Sequence, residues 1–206
     1  MKYKWLNKQK NNSLIIFFNG WGMNESVINH MDFSAHDFVM FYDYNSLDTD
    51  FDFDLFNQYE KKYLVAWSMG AMIATNFKKQ LGKIQKSIAI NGTLRPINDI
   101  YGIPTKIYDL TLRSFNETSA TKFINNMFDK NENIPIILRE FENIKTELIA
   151  IKNYKSDENF IYDTVYISTN DKIIPTKNQS EYWKKEPNLK SGHCPFLLFD
   201  SWDNIL

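Results

Sequence analysis

Short apolar runs recur along the chain, each about the length of one strand and each closed by turn-forming residues. Ser13-Leu14-Ile15-Ile16-Phe17-Phe18 is stopped by Asn19-Gly20-Trp21-Gly22. A continuous apolar run of that length, ended by glycines, reads as a strand buried on both faces and followed by a loop. The segments from His36 to Tyr42, Tyr63 to Trp67, Ser87 to Ile90 and Thr164 to Ser168 share this texture, which is that of parallel strands covered by helices. Helical spacing predicts a helix around Glu25 to Met31, a short one around Phe53 to Glu60 and a longer one from Gly70 to Leu81. Strands alternating with helices predict the α/β class.

From about Arg95 to Phe160 the rhythm changes: the spacing is helical, charges are frequent and no strand is convincing. This stretch reads as an inserted helical cap, with helices over Phe115 to Phe128 and Ile136 to Tyr154 joined by the polar turn Asp129-Lys130-Asn131-Glu132-Asn133. The alternative, ordinary crossover helices packed on the sheet, fits less well, because crossovers in compact α/β units are usually much shorter. With 206 residues, 43% of them hydrophobic and 16% aromatic, the chain suits one domain. Its core is expected over about residues 1–94 and 161–206, and its cap over about 95–160.

Charge narrows the choice of partners. Twenty-four basic residues against twenty-five acidic leave a formal net charge of −1, so no global field draws the protein to nucleic acid or an anionic membrane. A single cysteine, Cys194, excludes an internal disulfide or a cysteine-based metal site. No apolar stretch approaches the ~20 residues of a membrane span, and the opening residues lack the pattern of a secretory signal. The expectation is a cytoplasmic protein with no metal or cofactor. The histidines lack zinc-site pairing, and no phosphate-binding Gly-x-x-x-x-Gly-Lys loop is present.

The chemistry centres on Ala66-Trp67-Ser68-Met69-Gly70. It stands at a predicted strand-to-helix junction, the context a nucleophile elbow requires, and small residues two before and two after the serine permit the sharp turn. Alone, the motif is weak, since a serine near a helix start is commonly a cap. A nucleophilic serine also needs a base, and the base an orienting acid. Asp171 follows the predicted strand ending at Ser168, and His193 sits in a turn ahead of a last apolar helix. Either could be an ordinary turn residue. Their joint appearance in the order Ser, Asp, His, each at a strand exit, makes Ser68, Asp171 and His193 the better reading as a triad. His30 and His36 lie before the nucleophile and read as structural. An oxyanion hole needs the amide after the nucleophile and one from the loop after the first central strand, which selects Met69 and Trp21. The Trp21 indole is placed to line the acyl side of the site. The plainer reading of Asn19-Gly20-Trp21-Gly22 is a tight turn with a packed tryptophan.

Together, Phe17-Phe18-Asn19-Gly20-Trp21-Gly22-Met23, Ala66-Trp67-Ser68-Met69-Gly70, Asn91-Gly92-Thr93 and Gly192-His193-Cys194-Pro195-Phe196 resemble the pimeloyl-[acyl-carrier protein] methyl ester esterases of biotin synthesis, in particular the short BioG type. The likeness runs nearly the whole length. Asn19 stands where the related BioH esterases carry histidine. The resemblance implies an α/β-hydrolase fold, with a mostly parallel central sheet flanked by helices, and a serine esterase that hydrolyses the methyl ester of pimeloyl-[acyl-carrier protein] to the acid and methanol. It also implies an acidic carrier protein as partner, and hence a basic surface near the site; Arg113, Lys122 and Arg139 of the cap are the candidates. A compact monomer is expected. Because little precedes Ser13, the leading antiparallel strands usual in this fold are expected to be reduced or absent, and only a short final helix is expected after His193. Two other functions fit the same residues. One is a general short-chain carboxylesterase or thioesterase without carrier preference; the other is a silent member of the fold that binds an acyl group or a protein.

Overall fold

The computed structural model describes residues 1–129, 136 and 138–206. Among these residues six strands form one sheet: β1 (Lys2–Asn7), β2 (Ser13–Phe18), β3 (Asp37–Tyr42), β4 (Lys61–Trp67), β5 (Lys86–Ile90) and β6 (Thr164–Tyr166), in the spatial order β1-β3-β2-β4-β5-β6. Every pairing is parallel except that of β1 with β3, which is antiparallel. The central strands are near-continuous apolar runs because both faces are covered. Along β2, Leu14, Ile16 and Phe18 enter one core while Ile15 and Phe17 enter the other, the alternation a pleated strand imposes.

Register sets the working edge. Phe18 lies opposite Ala66, Trp67 opposite Ile90, and Ile90 opposite Tyr166. The loops after β2, β4, β5 and β6 therefore leave the sheet side by side at its carboxyl edge, where open α/β sheets bind ligands.

Several expected elements differ in extent. One antiparallel leading strand, β1, is present, with its pairing shifted between Trp5 and Asn7. The predicted helix from Gly70 to Leu81 is two single-turn helices, α1 (Gly70–Ile73) and α2 (Lys78–Leu81), separated by a 3-10 turn over Ala74–Phe77. Thr75 Oγ1 donates to Met72 O at 2.7 Å, and Asn76 Nδ2 reaches Met72 O and Ile73 O. Side chains bonded back to helical carbonyls tighten and bend a helix in this way. Around Glu25 only a 3-10 turn forms, Glu25–Val27, capped by Asn24. The expected helix near Phe53 is also 3-10, over Phe53–Gln58. Strand β6 stops at Tyr166 instead of Ser168 because Ile167 N turns to the Asn188 side chain. The last helix is two 3-10 turns, Phe196–Leu198 and Trp202–Asn204.

Between β5 and β6 lie α3 (Thr105–Ser114), α4 (Glu117–Asn126) and α5 (Phe141–Ile151). Asn116 and Ser119 form a reciprocal cap that starts α4. Helix α5 buries Ile144, Glu147, Leu148 and Ile151 on one stripe, the spacing that faces a core. Most of the expected turn from Asp129 to Asn133 lies outside the described residues. After β6, α6 (Thr176–Trp183), which sequence analysis did not single out, packs near β5, with Trp183 Nε1 donating to Gly92 O at 2.8 Å.

Gly92 has no room for a side chain: a Cβ there would lie 2.4 Å from Ser68 O. Gly92→Ala is expected to lower stability by about 2 kcal/mol or more through that backbone clash, read as a lower urea midpoint; an unchanged midpoint would show that the turn relaxes freely.

Candidate active site

Ser68 stands immediately after β4 with a backbone φ of 58°. A left-handed conformation is unfavourable for a non-glycine residue and persists only where its surroundings enforce it. Here Ser68 N donates to Ile90 O at 2.9 Å and Ala71 N to Ser68 O at 3.1 Å. Gly70 lets the following turn pass directly over β2, since a Cβ there would lie 2.3 Å from Phe18 O. Ala66, where many elbows carry glycine, is fully buried between β2 and β5.

The three residues selected from sequence converge. His193 Nε2 lies 2.8 Å from Ser68 Oγ, and His193 Nδ1 lies 2.7 Å from Asp171 Oδ2. All three are buried. Asp171 Oδ2 is placed to accept a hydrogen bond from His193 Nδ1–H, which leaves Nε2 as acceptor for the serine hydroxyl. Asp171 is itself fixed: its Oδ1 accepts from Ile173 N and Ile174 N, and its Oδ2 also accepts from Gln179 Nε2 at 2.7 Å.

The remaining histidines point elsewhere. His30 Nε2 lies 3.0 Å from Phe196 O. His36 bridges Ser13 Oγ and Asp203 Oδ1 at the opposite edge of the sheet. That trio has the same residue types, but Ser13 lies in an ordinary extended strand rather than an elbow.

Trp21 and Met69 line the same cavity as Ser68. Among the described residues neither amide N–H has an acceptor within the protein, the state expected of donors kept for a ligand oxygen. Asn19 organises the loop: its Oδ1 accepts from Gly20 N at 2.8 Å, and its Nδ2 donates to Asn24 O at 3.0 Å. A cavity of about 320 Å³ opens over Ser68 and His193, lined on its apolar side by Trp21, Met69, Tyr108, Phe123 and Leu148. Trp21 packs against Phe115 and Phe123 at ring separations of 5.1 and 5.0 Å.

Similarity to known proteins narrows what this arrangement does. The family model described as "Pimeloyl-ACP methyl esterase BioG" matches residues 1–205. The chain belongs to the BioG family. That is a family of carboxylic ester hydrolases. The crystal structure of BioG from Haemophilus influenzae superposes with a TM-score of 0.89 at 30% identity, covering 99% of both chains. A Bacteroides fragilis protein named malonyl-[acyl-carrier protein] O-methyltransferase is 38% identical over 183 residues, 84% of this chain and 37% of that protein, so the chain spans little more than a third of that relative's length. An esterase from Exiguobacterium antarcticum shares the fold, with a TM-score of 0.64 at 15% identity and coverage of 93% of this chain and 87% of that one.

The residues selected for a basic surface separate. Lys122 is exposed on α4 and lines the cavity, as does Lys172 after β6, which the sequence reading passed over. Arg113 is exposed on α3. Arg139 is corrected: its side chain is only 10% exposed, turned inward between Glu147 and Asp43, with Nη1 3.1 Å from Asp43 Oδ2. It has no free face for a partner. Among the described residues no helix is long and apolar enough to cross a membrane, and no group of three or more His, Cys, Asp or Glu side chains could hold a metal ion.

Supporting residues went unrecognised. Asn91, with φ 45°, donates through Nδ2 to Ser168 Oγ, Gly192 O and His193 O, and its Oδ1 accepts from Ser168 N at 2.7 Å. It ties the β5, β6 and histidine loops into one unit, and Trp67 Nε1 adds a second bond to His193 O at 2.9 Å. The visible signal was a polar Asn-Gly pair closing an apolar strand. Asn91→Ala is expected to cost about 2 kcal/mol or more, because it orphans buried partners, and to slow labelling of Ser68 by a fluorophosphonate; a full labelling rate would sever Asn91 from the geometry of His193.

Asp43 offers a separate check. Burial pushes its carboxyl up, but hydrogen bonds from Lys2 and Asn45 and the charge of Arg139 outweigh that and hold it at about 2, below the ordinary 3.8. A depressed carboxylate contributes stability that is full above 3.8 and is lost as pH falls toward 2. The difference in urea midpoint between wild type and Asp43→Asn is therefore expected to shrink below pH 4; a constant difference would mean that the charge of Asp43 contributes nothing.

Proposed function

We propose that the protein is a serine carboxylesterase that hydrolyses the methyl ester of pimeloyl-[acyl-carrier protein], giving the free carboxylate and methanol and ending chain assembly in biotin synthesis. The observation that carries the reading is the unbroken relay Ser68 Oγ, His193, Asp171, with contacts of 2.8 and 2.7 Å, opening onto an apolar cavity in a chain of the BioG family. Ser68 Oγ attacks the ester carbonyl as His193 Nε2 takes the hydroxyl proton. The oxyanion accepts hydrogen bonds from the Trp21 and Met69 amides, a contribution of about 3 kcal/mol per donor in a serine hydrolase of known mechanism. The tetrahedral intermediate collapses, His193 gives its proton to the departing methoxide, and methanol leaves. Water, deprotonated by the same imidazole, attacks the acyl-enzyme and regenerates Ser68. Asp171 keeps the imidazole in the tautomer both steps need.

The apolar cavity suits the methylene chain, and its size lies at the small end of ligand pockets. The carrier thioester has to survive, so the distal ester enters first and the carrier stays at the mouth. Lys122 and Arg113, with Lys172 added and Arg139 removed, are the cations offered to an acidic carrier there. The segment over residues 95–160 acts in this reading as a cap that shapes the cavity, and the reaction belongs in the cytoplasm. The methyltransferase name of the Bacteroides relative supports a methyl ester substrate, since such an enzyme installs on a carrier-bound acid the group this reaction removes.

The test is mass spectrometry of methyl pimeloyl-carrier protein after incubation with wild type and with Ser68→Ala. Wild type is expected to remove one methyl group and leave the thioester intact, and Ser68→Ala to be slower by ~10⁴-fold or more. Fluorophosphonate labelling of Ser68 without demethylation would retain the hydrolase and discard this substrate.

A further inference from the structure

The buried carboxylate of Glu147 plays no part in the chemistry above, yet it touches the loop that supplies Trp21. Glu147 lies on α5 and is fully buried. Its Oε2 accepts from Gly22 N at 3.0 Å, and its Oε1 accepts from Tyr44 N at 2.7 Å. Arg139 pairs with the same carboxylate and reaches Asp43. One helical turn earlier, Ile144 O accepts the Trp21 indole N–H at 2.8 Å. Trp21 is therefore held on three sides: by Asn19 through Gly20 N before it, by Ile144 through its indole, and by Glu147 through the peptide after it. Gly22 has φ +74°, a conformation unfavourable for other residues, and the Glu147 bond holds the peptide that enters it.

A buried ion pair is an expensive way to hold a helix, since apolar side chains of similar volume commonly do it as well or better. Two directed acceptors on a rigid carboxylate fix peptide planes, which apolar packing does not. We propose that Glu147, charge-balanced by Arg139, is a positioning residue that sets the Trp21 amide from α5, so that the oxyanion loop is formed only while α5 is docked. This rests on the esterase reading, because it gives the Trp21 amide its purpose.

The test uses the rate at which a fluorophosphonate labels Ser68, together with kcat and KM for p-nitrophenyl butyrate, in wild type, Glu147→Gln and the double variant Arg139→Met/Glu147→Met. The double variant removes both charges at once, but it leaves the Gly22 and Tyr44 amides without Glu147 and Asp43 without Arg139, so it is expected to fold with a lower melting temperature than wild type. Its labelling rate and kcat are expected to fall about 10- to 100-fold with KM within twofold, the pattern of a misplaced transition-state donor. Glu147→Gln, which retains one acceptor oxygen, is expected to lie between. A folded double variant that labels at the wild-type rate would overturn the proposal whatever its melting temperature, since a purely structural ion pair changes stability and leaves the labelling rate alone. Amide hydrogen exchange needs no variant: the Gly22 amide of wild type is expected to be protected like a strand amide, and exchange at the rate of an open loop would overturn the clamp directly. Failure of wild type itself to label at Ser68 would instead remove the esterase reading, and the clamp with it.

Discussion

The site depends on the close passage of one strained turn between two backbones. Ser68 holds a positive φ while Gly70 presses on Phe18 O and Gly92 presses on Ser68 O. No side chain fits at either glycine, and the elbow is thereby locked between the exits of β2 and β5. That confinement does two things at once. It presents Oγ at the carboxyl edge of the sheet, and it packs the turn after Ser68 against the end of β2 and the start of its loop. A serine on a relaxed turn would gain neither, and Ser13 shows the contrast: it lies beside His36, which reaches Asp203, but on an extended strand.

Strain of this kind persists only where other bonds over-determine it. Asn91 supplies many of them. Its side chain joins Ser168, Gly192 and His193, so the His193 loop and the strand exit that leads to Asp171 hang from one amide. Gln179 on α6 and the amides of Ile173 and Ile174 then fix the carboxylate. Ser68 lies more than a hundred residues from both Asp171 and His193 in the chain, and the spacing of the three is set by buried amide groups whose loss would leave partners unsatisfied.

How much of this could be read from the chain follows from what is local and what is not. The strands β2 to β5 were legible because burial on both faces makes them continuous apolar runs, and the convergence of Ser68, Asp171 and His193 was legible because the first two follow such runs and the third comes after them in a turn, in hydrolase order. Strand β1 carried a readable alternation too: Lys2 and Lys4 are exposed while Tyr3 and Trp5 are partly buried; brevity of the N-terminal segment outweighed that period. The break within Gly70–Leu81 was not legible, since it comes from Thr75 and Asn76 bonding backwards rather than from a proline or glycine. Arg139 was misread because, in sequence, a cation among glutamates has the pattern of a solvated face. The corrective sign was on the partner: Glu147 falls within the buried stripe of Ile144, Leu148 and Ile151, where a carboxylate has to be paired.

That misplaced glutamate changes how the region between β5 and β6 is understood. A cap that only covered a pocket would need an apolar underside, and α5 has one. It also carries two acceptors for the loop after β2, Ile144 O for the Trp21 indole and the Glu147 carboxylate for Gly22 N. Helix α3 joins the same unit through Tyr108 OH, which donates to Leu148 O at 2.7 Å, while Tyr108 and Leu148 also line the cavity. The surfaces that shape the acyl space and the bonds that orient the Trp21 loop therefore belong to one body. A displacement of α5 large enough to widen the cavity has to break the Glu147 and Ile144 contacts. Access and loop geometry are coupled through the position of one helix.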